Sequence, residues 1–142
     1  MSAALLLAGC AAFRGTAPTP SPGDFSTIGL ELGIRGITAS NAVSGDAGCA
    51  GSDLAPTAIG FDAAGLDQPG SVHLRVFIFR NLETYERRRA DVDACAATWA
   101  TDPATFEFID TAPFVLAGQG PWGVRFKAAL REAMTKAAGL GG

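Results

Sequence analysis

The segment from Ser71 to Phe79 constrains the fold of this chain more than any other part of the sequence. Every second residue in it is aliphatic, which is typical of a β-strand that packs one face on a hydrophobic core. The aliphatic positions are Val72, Leu74, Val76 and Ile78. The opposite face begins with His73 and ends with Phe77 and Phe79, so we expect that face to be only partly covered.

Seven further segments carry helix or strand patterns. With the strand at 71–79 they are a helix at 25–35, strands at 37–43 and 57–62, a helix at 82–100, strands at 105–110 and 114–118, and a helix at 121–138. Strands that come in runs, with few helices between them, predict an α+β fold. We expect an antiparallel sheet of about five strands, with about three helices mainly on one face, in the order α-β-β-β-α-β-β-α. The 142 residues suit one such domain, from 24 to 142.

The predicted helices have signals at their ends. Asp24 and Asn81 precede the first two helices and belong to the residue types that cap helix N-termini. Pro121 suits the first turn of the last helix. Gly36 and Gly139 follow the first and last helices and suit the left-handed residue that often ends a helix.

The residues Leu7-Ala8-Gly9-Cys10 combine an aliphatic residue, two small residues and a cysteine. This run resembles the lipobox of bacterial lipoproteins. The resemblance implies that residues 1–9 are the remnant of a signal peptide and that the Cys10 thiol carries a diacylglyceryl anchor. No basic residue precedes Cys10, and the apolar stretch is short for a signal peptide. We therefore expect either a start upstream of Met1 or a chance match.

Residues 10–23 continue the resemblance. Three prolines alternate with small polar residues, which disfavours helix and sheet and favours an extended spacer of roughly 3 Å per residue. Lipoproteins typically carry such a tether between the anchor and the folded domain. The resemblance implies an extracytoplasmic, membrane-anchored protein of the cell envelope, and it implies no activity. Residues 24–142 look like the small uncharacterised domains that follow such tethers.

The chain has three cysteines, Cys10, Cys49 and Cys95. If Cys10 carries lipid, the other two form an even pair in an oxidising compartment, where a disulfide persists. A bridge that closes a loop of about 47 residues would stabilise the fold by roughly 4 kcal/mol. The alternative is two buried free thiols in a cytosolic protein. Three cysteines and one histidine do not indicate a zinc site, and we predict neither a metal nor a cofactor.

The charge pattern argues against nucleic acid as a partner. The formal net charge is −3, and the run Arg87-Arg88-Arg89 lies among acidic residues at helical spacing. We expect a solvated, ion-paired helix face there. No run of about 18 apolar residues indicates a transmembrane helix.

Two stretches are candidate ligand or partner faces. Phe77 and Phe79 form an exposed apolar patch if all helices pack on the other face; the alternative is that the first helix or the 44–56 loop covers them. The stretch AGQGPWG, with Gln119, Gly120 and Trp122, joins a strand to a helix N-terminus, where free N–H groups bind anions. The alternative there is a tight connection with Trp122 packed under the sheet.

Four aspartates lie in or beside Gly-rich loops, and we expect them to be solvated: Asp46, Asp53, Asp62 and Asp67. His73 is expected on the polar face of its strand. No sequence motif for a catalytic nucleophile, a metal or a nucleotide is present. We predict a non-catalytic, lipid-anchored binding or accessory domain, and the sequence does not identify its ligand. The alternatives are a small extracytoplasmic hydrolase that uses the loop carboxylates and a cytosolic domain of unknown role.

Overall fold

A five-stranded antiparallel β-sheet organises the folded domain in the computed structural model, which describes residues 23–50 and 53–140. The strands are β1 (Thr38–Ser44), β2 (Ala58–Gly65), β3 (Gln68–Ile78), β4 (Phe106–Thr111) and β5 (Phe114–Gln119). Their order across the sheet is β1-β2-β3-β5-β4, so β1 and β4 form its two edges. Cys10, residues 1–9 and the tether as far as Pro22 lie outside the described residues.

Three α-helices cover the sheet, and the predicted α+β class and element order are confirmed. The helices are α1 (Phe25–Ile34), α2 (Leu82–Ala97) and α3 (Val124–Ala137), and one 3-10 turn, Ala55–Thr57, precedes β2. Two helices, α1 and α3, pack on one face of the sheet, whereas α2 packs on the other. Both faces of the sheet are therefore covered.

The ends of α1 and α2 follow the local signals in the sequence. Asp24 accepts a hydrogen bond from the backbone N–H of Thr27 at 3.1 Å, and Asn81 accepts one from Thr84 at 2.8 Å. These bonds satisfy N–H groups that have no partner within the helix. Gly36, at φ +86°, ends α1 in the left-handed conformation that glycine adopts at little cost.

The start of α3 differs from the expectation. Pro121 was predicted in the first turn, but it lies ahead of the helix, after a cis peptide bond, and Gly123 is the N-cap. Gly139, at φ +79°, follows the last turn as predicted. The difference arises because Trp122 turns into the core before the helix begins.

The hairpin of β2 and β3 is longer than the sequence pattern indicated. Gly65 pairs with Gln68, so the link predicted between the strands shrinks to Leu66 and Asp67. This tight turn projects Asp67 toward the N-terminus of α3, where it makes the contacts described below.

The larger core lies between the sheet and the α1–α3 layer. It takes the aliphatic face of β3, as predicted, together with one face of each neighbouring strand. Its largest fully buried side chains are Ile28, Leu32, Ile37, Phe61, Leu74, Ile109, Phe114, Leu116 and Phe126.

A second core lies on the opposite face, and it overturns the prediction of an exposed Phe patch. Phe77 is 0% exposed and Phe79 is 1% exposed. They pack under α2 and the loop after β1, against side chains that include Leu54 and Val92. The prediction failed because it assumed that all three helices share one face, whereas α2 crosses to the other side. The alternative that the 44–56 loop helps to cover these rings is the one observed.

Candidate functional site

The stretch with Gln119, Gly120 and Trp122 is a tight connection, as the alternative interpretation held. The Gln119 side-chain oxygen accepts from the backbone N–H groups of Thr101 and Asp102, both at 2.9 Å. Its amide group donates to the Gly120 carbonyl at 2.8 Å. Trp122 is only 7% exposed, and its indole N–H donates to the Gln119 carbonyl at 3.2 Å. These groups hold the loop together and leave Trp122 unable to stack on a ligand.

The N-terminus of α3 already holds an anion from within the chain. The Asp67 carboxylate accepts from the backbone N–H groups of Arg125 at 2.9 Å and Phe126 at 2.8 Å. The hydrogen bond from Arg125 is the main reason that the pKa of Asp67 lies below its ordinary value. These N–H groups are therefore occupied by the Asp67 carboxylate and are not free for an external anion.

Two of the four loop aspartates meet at the histidine. His73 Nδ1 lies 2.8 Å from an Asp62 oxygen, and His73 Nε2 lies 2.8 Å from an Asp46 oxygen. Asn41 donates to the second Asp62 oxygen at 2.9 Å, and Arg75 donates to the second Asp46 oxygen at 3.0 Å. The other two acids lie elsewhere, because Asp67 caps α3 and Asp53 pairs with Arg88.

The carboxylates around His73 are held ionised. Burial raises the pKa of Asp46, but hydrogen bonds from His73 and Arg75 outweigh it and hold that pKa below 3.8. The hydrogen bond from Asn41, followed by the one from His73, lowers the pKa of Asp62. Both ring nitrogens of His73 are thus engaged, each with one carboxylate oxygen.

Gly60 makes room for this charged network. A Cβ atom at that position would lie 1.9 Å from the Asp46 carboxylate. Gly60 therefore lets the loop after β1 reach across β2 to β3. Any side chain there would push Asp46 away from His73 and Arg75.

A row of aromatic rings runs along the α2 face of the sheet from this network to the edge strand β4. Trp99 and Phe106 have ring centroids 4.9 Å apart, and Phe106 and Phe108 are 5.0 Å apart. The Arg75 guanidinium lies 4.3 Å from the Trp99 ring centroid, and Arg89 lies 4.8 Å from that of Phe108. We call Trp99, Phe106 and Phe108 the aromatic row; a cation stacks at each end.

A second network of charged side chains, centred on Arg89, lies at the β4 end of the aromatic row. Arg89 donates to both oxygens of Asp110, at 2.6 and 3.1 Å, and to Asp93 at 2.6 Å. The Tyr85 hydroxyl donates to Asp110 at 2.7 Å. Burial, with the neighbouring Asp110, raises the pKa of Tyr85 to about 12, so this hydroxyl remains a donor at neutral pH. The predicted ion-paired face of α2 is present, and Arg88 and Arg89 also tie α2 to other elements.

A groove of about 210 Å³ lies over the outer part of the aromatic row, between the end of α2 and β4. Its floor is Phe106 and Phe108, which are both half-buried. Its walls are mostly small and apolar. The lining residues are Asp93, Ala96, Ala97, Ala100, Pro103, Phe106 and Phe108. This volume is below the range of sites for drug-sized ligands, so the groove suits one apolar side chain or a comparable group.

The sequence alone does not predict this groove, although part of its signal is local. Phe106, Phe108 and Asp110 occupy every second position of β4, which puts all three on one face. Which helix covers that face depends on contacts between residues far apart in the chain. The groove could be recognised only once α2 was placed there.

The Cys49–Cys95 disulfide predicted from the cysteine count is present. The two Cα atoms are 5.3 Å apart and 46 positions separate the residues. The bridge joins α2 to the loop that carries Asp46, on the face that holds the second core. It therefore fixes the loop that covers Phe77.

Across 23–50 and 53–140, no group of three or more His, Cys, Asp or Glu side chains is placed to hold a metal ion. Over the same residues, no helix combines the length and apolar character needed to cross a bilayer.

Known proteins supply no assignment for this site. The chain matches no protein-family model, no curated protein and no solved structure.

Proposed function

We propose that this chain is a lipid-anchored, extracytoplasmic binding domain that acts without catalysis. The observation that carries the proposal is the Cys49–Cys95 disulfide. Structural disulfides persist in oxidising compartments and are rare where thiols are kept reduced. The bridge uses two of the three cysteines and leaves Cys10, in the lipobox-like run, for the anchor.

The groove between α2 and β4 is the proposed binding site. It offers an apolar floor in Phe106 and Phe108, with Asp93 at its rim. Because β4 is an edge strand, half of its backbone N–H and C=O groups face away from β5. An extended segment that carries one apolar side chain matches both features, since it can pair with the edge and fill the groove.

The anchor is tested by expressing the native gene in a bacterial host and measuring the mass of the protein in the membrane fraction. We expect a diacylglyceryl adduct on Cys10, and we expect Cys10→Ser to lack the adduct and leave the membrane fraction. A soluble wild-type product that retains residues 1–9 would contradict the anchor.

The groove is tested by filling it from α2. Ala97 lines the groove, so Ala97→Leu should block it, whereas Ala94→Leu changes an exposed position on the same helix outside the lining. The probes are short peptides with one central Leu or Phe. Binding is measured by changes in the NMR chemical shifts of the protein's backbone amides. We expect shifts at Ala96 and Ala100 that persist in Ala94→Leu and are lost in Ala97→Leu. Equal binding by both variants would exclude the groove.

The loop carboxylates give the hydrolase alternative less support than the disulfide and the groove give the binding domain. Asp46 and Asp62 both have lowered pKa values, whereas a general acid requires a raised one. Both nitrogens of His73 contact carboxylates, so neither is free to activate a nucleophile. This network instead supports a structural role at the loop after β1.

A further inference from the structure

The outer face of α1 is apolar. Leu30 and Ile34 are 64% and 68% exposed and lie one turn apart. Leu30 is two residues from the buried Ile28, about 200° around the helix, and Ile34 has the same relation to Leu32. Both side chains therefore point away from the sheet.

Helix α1 has few polar side chains. Its only charged residue is Glu31, which pairs with Arg35 at 2.6 Å. Cβ atoms added at Gly29 and Gly33 would meet nothing within 4 Å, so both glycines are open to the outside. A surface helix normally carries polar and charged side chains on its outer face, and the aliphatic outer face of α1 therefore implies a partner.

Basic residues flank that apolar face. Helix α3 carries four basic residues and only one acidic residue, Glu132, whereas α2 carries three basic and four acidic residues. Arg131 and Lys136 line one shallow groove beside α1 with Arg35, Thr135 and Glu132, and Glu132 pairs with Arg35 at 3.5 Å. Within the described residues, neither Arg131 nor Lys136 makes a salt bridge. Arg131 does lie near Asp110, whose pKa it helps to lower. The α1–α3 layer is thus positive in a chain whose formal net charge is −3.

We propose that this surface, defined by Leu30, Ile34, Arg131 and Lys136, docks on an anionic lipid bilayer. Protein surfaces that bind at a membrane interface typically combine exposed aliphatic and cationic side chains. The aliphatic side chains enter the headgroup region, and the cationic side chains contact anionic headgroups. The opposite side of the domain, with the α2–β4 groove, then faces away from the membrane.

The path of the chain supports the bilayer as the occupant; this step rests on the proposed anchor at Cys10. The tether reaches the domain at Gly23, whose N–H donates to the Ala137 carbonyl at 2.7 Å, at the end of α3. The chain therefore enters the domain at the α1–α3 layer. Gly23 lies thirteen positions after Cys10, an extended reach of about 40 Å, so the anchor holds the point where the chain enters this layer within about 40 Å of the bilayer.

The test uses the full chain with Cys10→Ser, which removes the anchor and isolates the surface. The probes are vesicles of phosphatidylcholine alone or mixed equally with phosphatidylglycerol, and the readout is co-sedimentation. We expect binding to the anionic vesicles only. Leu30→Ser/Ile34→Ser and Arg131→Glu/Lys136→Glu should each lower the partition coefficient by roughly tenfold or more.

The matched control lies on the other side of the domain. Leu82 is 56% exposed and the Arg87 side chain 63%. Leu82→Ser/Arg87→Glu therefore makes one change of each type on α2 and should bind like the parent. All variants retain residues 1–22, so differences among them report the surface alone. Urea midpoints equal to the parent's confirm that the variants are folded.

Two results would overturn the proposal. One is equal vesicle binding by the surface variants and the parent. The other is a dimer without vesicles that Leu30→Ser/Ile34→Ser converts to a monomer, since a second copy would then occupy the surface. A different result would exclude only the anchor. If Cys10→Ser binds anionic vesicles but the wild-type protein carries no lipid on Cys10, the proposed anchor is wrong and the docking surface stands.

Discussion

At the scale of single residues, the network around His73 shows how a loop acid acquires a defined role. In the sequence, Asp46 and Asp62 are 16 positions apart and neither stands out. In the structure, they flank one imidazole ring at 2.8 Å on each side. Gly60 permits the approach because a side chain there would displace Asp46. The network holds the loop after β1 against β3.

The network should make stability depend on pH. In the folded protein the pKa of Asp46 lies below its ordinary value of 3.8, so its contribution is complete above about pH 4 and is lost as the pH falls through the folded-state pKa. We expect Asp46→Asn to lower the free energy of unfolding by about 1 kcal/mol at pH 7. The difference from wild type should shrink at pH 3. Urea unfolding at the two pH values measures it.

A matched control for this prediction is Glu83→Gln. The Glu83 side chain is 86% exposed and lies 4.0 Å from its partner Arg87, so its replacement should change stability little at either pH. A deficit in Asp46→Asn that stays constant from pH 7 to pH 3 would contradict the electrostatic account.

At the scale of elements, β3 belongs to two cores at once. Its aliphatic face packs on α1 and α3, and its aromatic face packs under α2. The alternation in residues 71–79 predicted both faces, but the covering of the second depended on where α2 lies. Its neighbours β2 and β5 complete both cores, since each also presents opposite faces to the two helical layers.

Truncating the aromatic face should therefore cost as much as truncating any core ring. We expect Phe77→Ala to lower the free energy of unfolding by about 3–5 kcal/mol, because it leaves a cavity in a fully buried site. Val124 is 83% exposed, and Val124→Ala should stay within about 0.5 kcal/mol of wild type. Denaturant unfolding followed by tryptophan fluorescence compares the two. A wild-type midpoint in Phe77→Ala would show that this face is not a core.

At the scale of the whole molecule, the disulfide links the loop after β1 to the helix on the same face. That loop also carries Asp46 and covers part of the second core, so one bridge secures the charged network and the packing together. In the unfolded chain the bridge restricts a long loop, which disfavours the unfolded state.

Removing the bridge should be among the most costly changes. For a 46-residue separation, we expect Cys49→Ala/Cys95→Ala to lower the free energy of unfolding by roughly 4 kcal/mol. Thiol titration of the unfolded, non-reduced wild-type protein provides the control. Titration of Cys49 and Cys95 as free thiols would show that the bridge does not form.

Much of the fold was predictable because its signals are local. The two-residue period of β3 and the residue types of Asp24 and Asn81 depend on side chains close together in the chain. Cys49 and Cys95 are far apart in the chain, but their pairing was predictable from the number of cysteines. Element boundaries were less accurate where a turn tightened the chain, as at Leu66 and Asp67, or where Trp122 delayed the start of α3.

The sequence by itself determined the α+β class, the order of the elements and the two chemically different faces of β3. The tertiary structure alone decided that α2 crosses the sheet, that β5 lies between β3 and β4, and which carboxylates meet His73. Those outcomes depend on contacts between residues tens of positions apart, and local periodicity carries no information about them. The groove between α2 and β4 exists because these long-range choices bring Ala97 over Phe108.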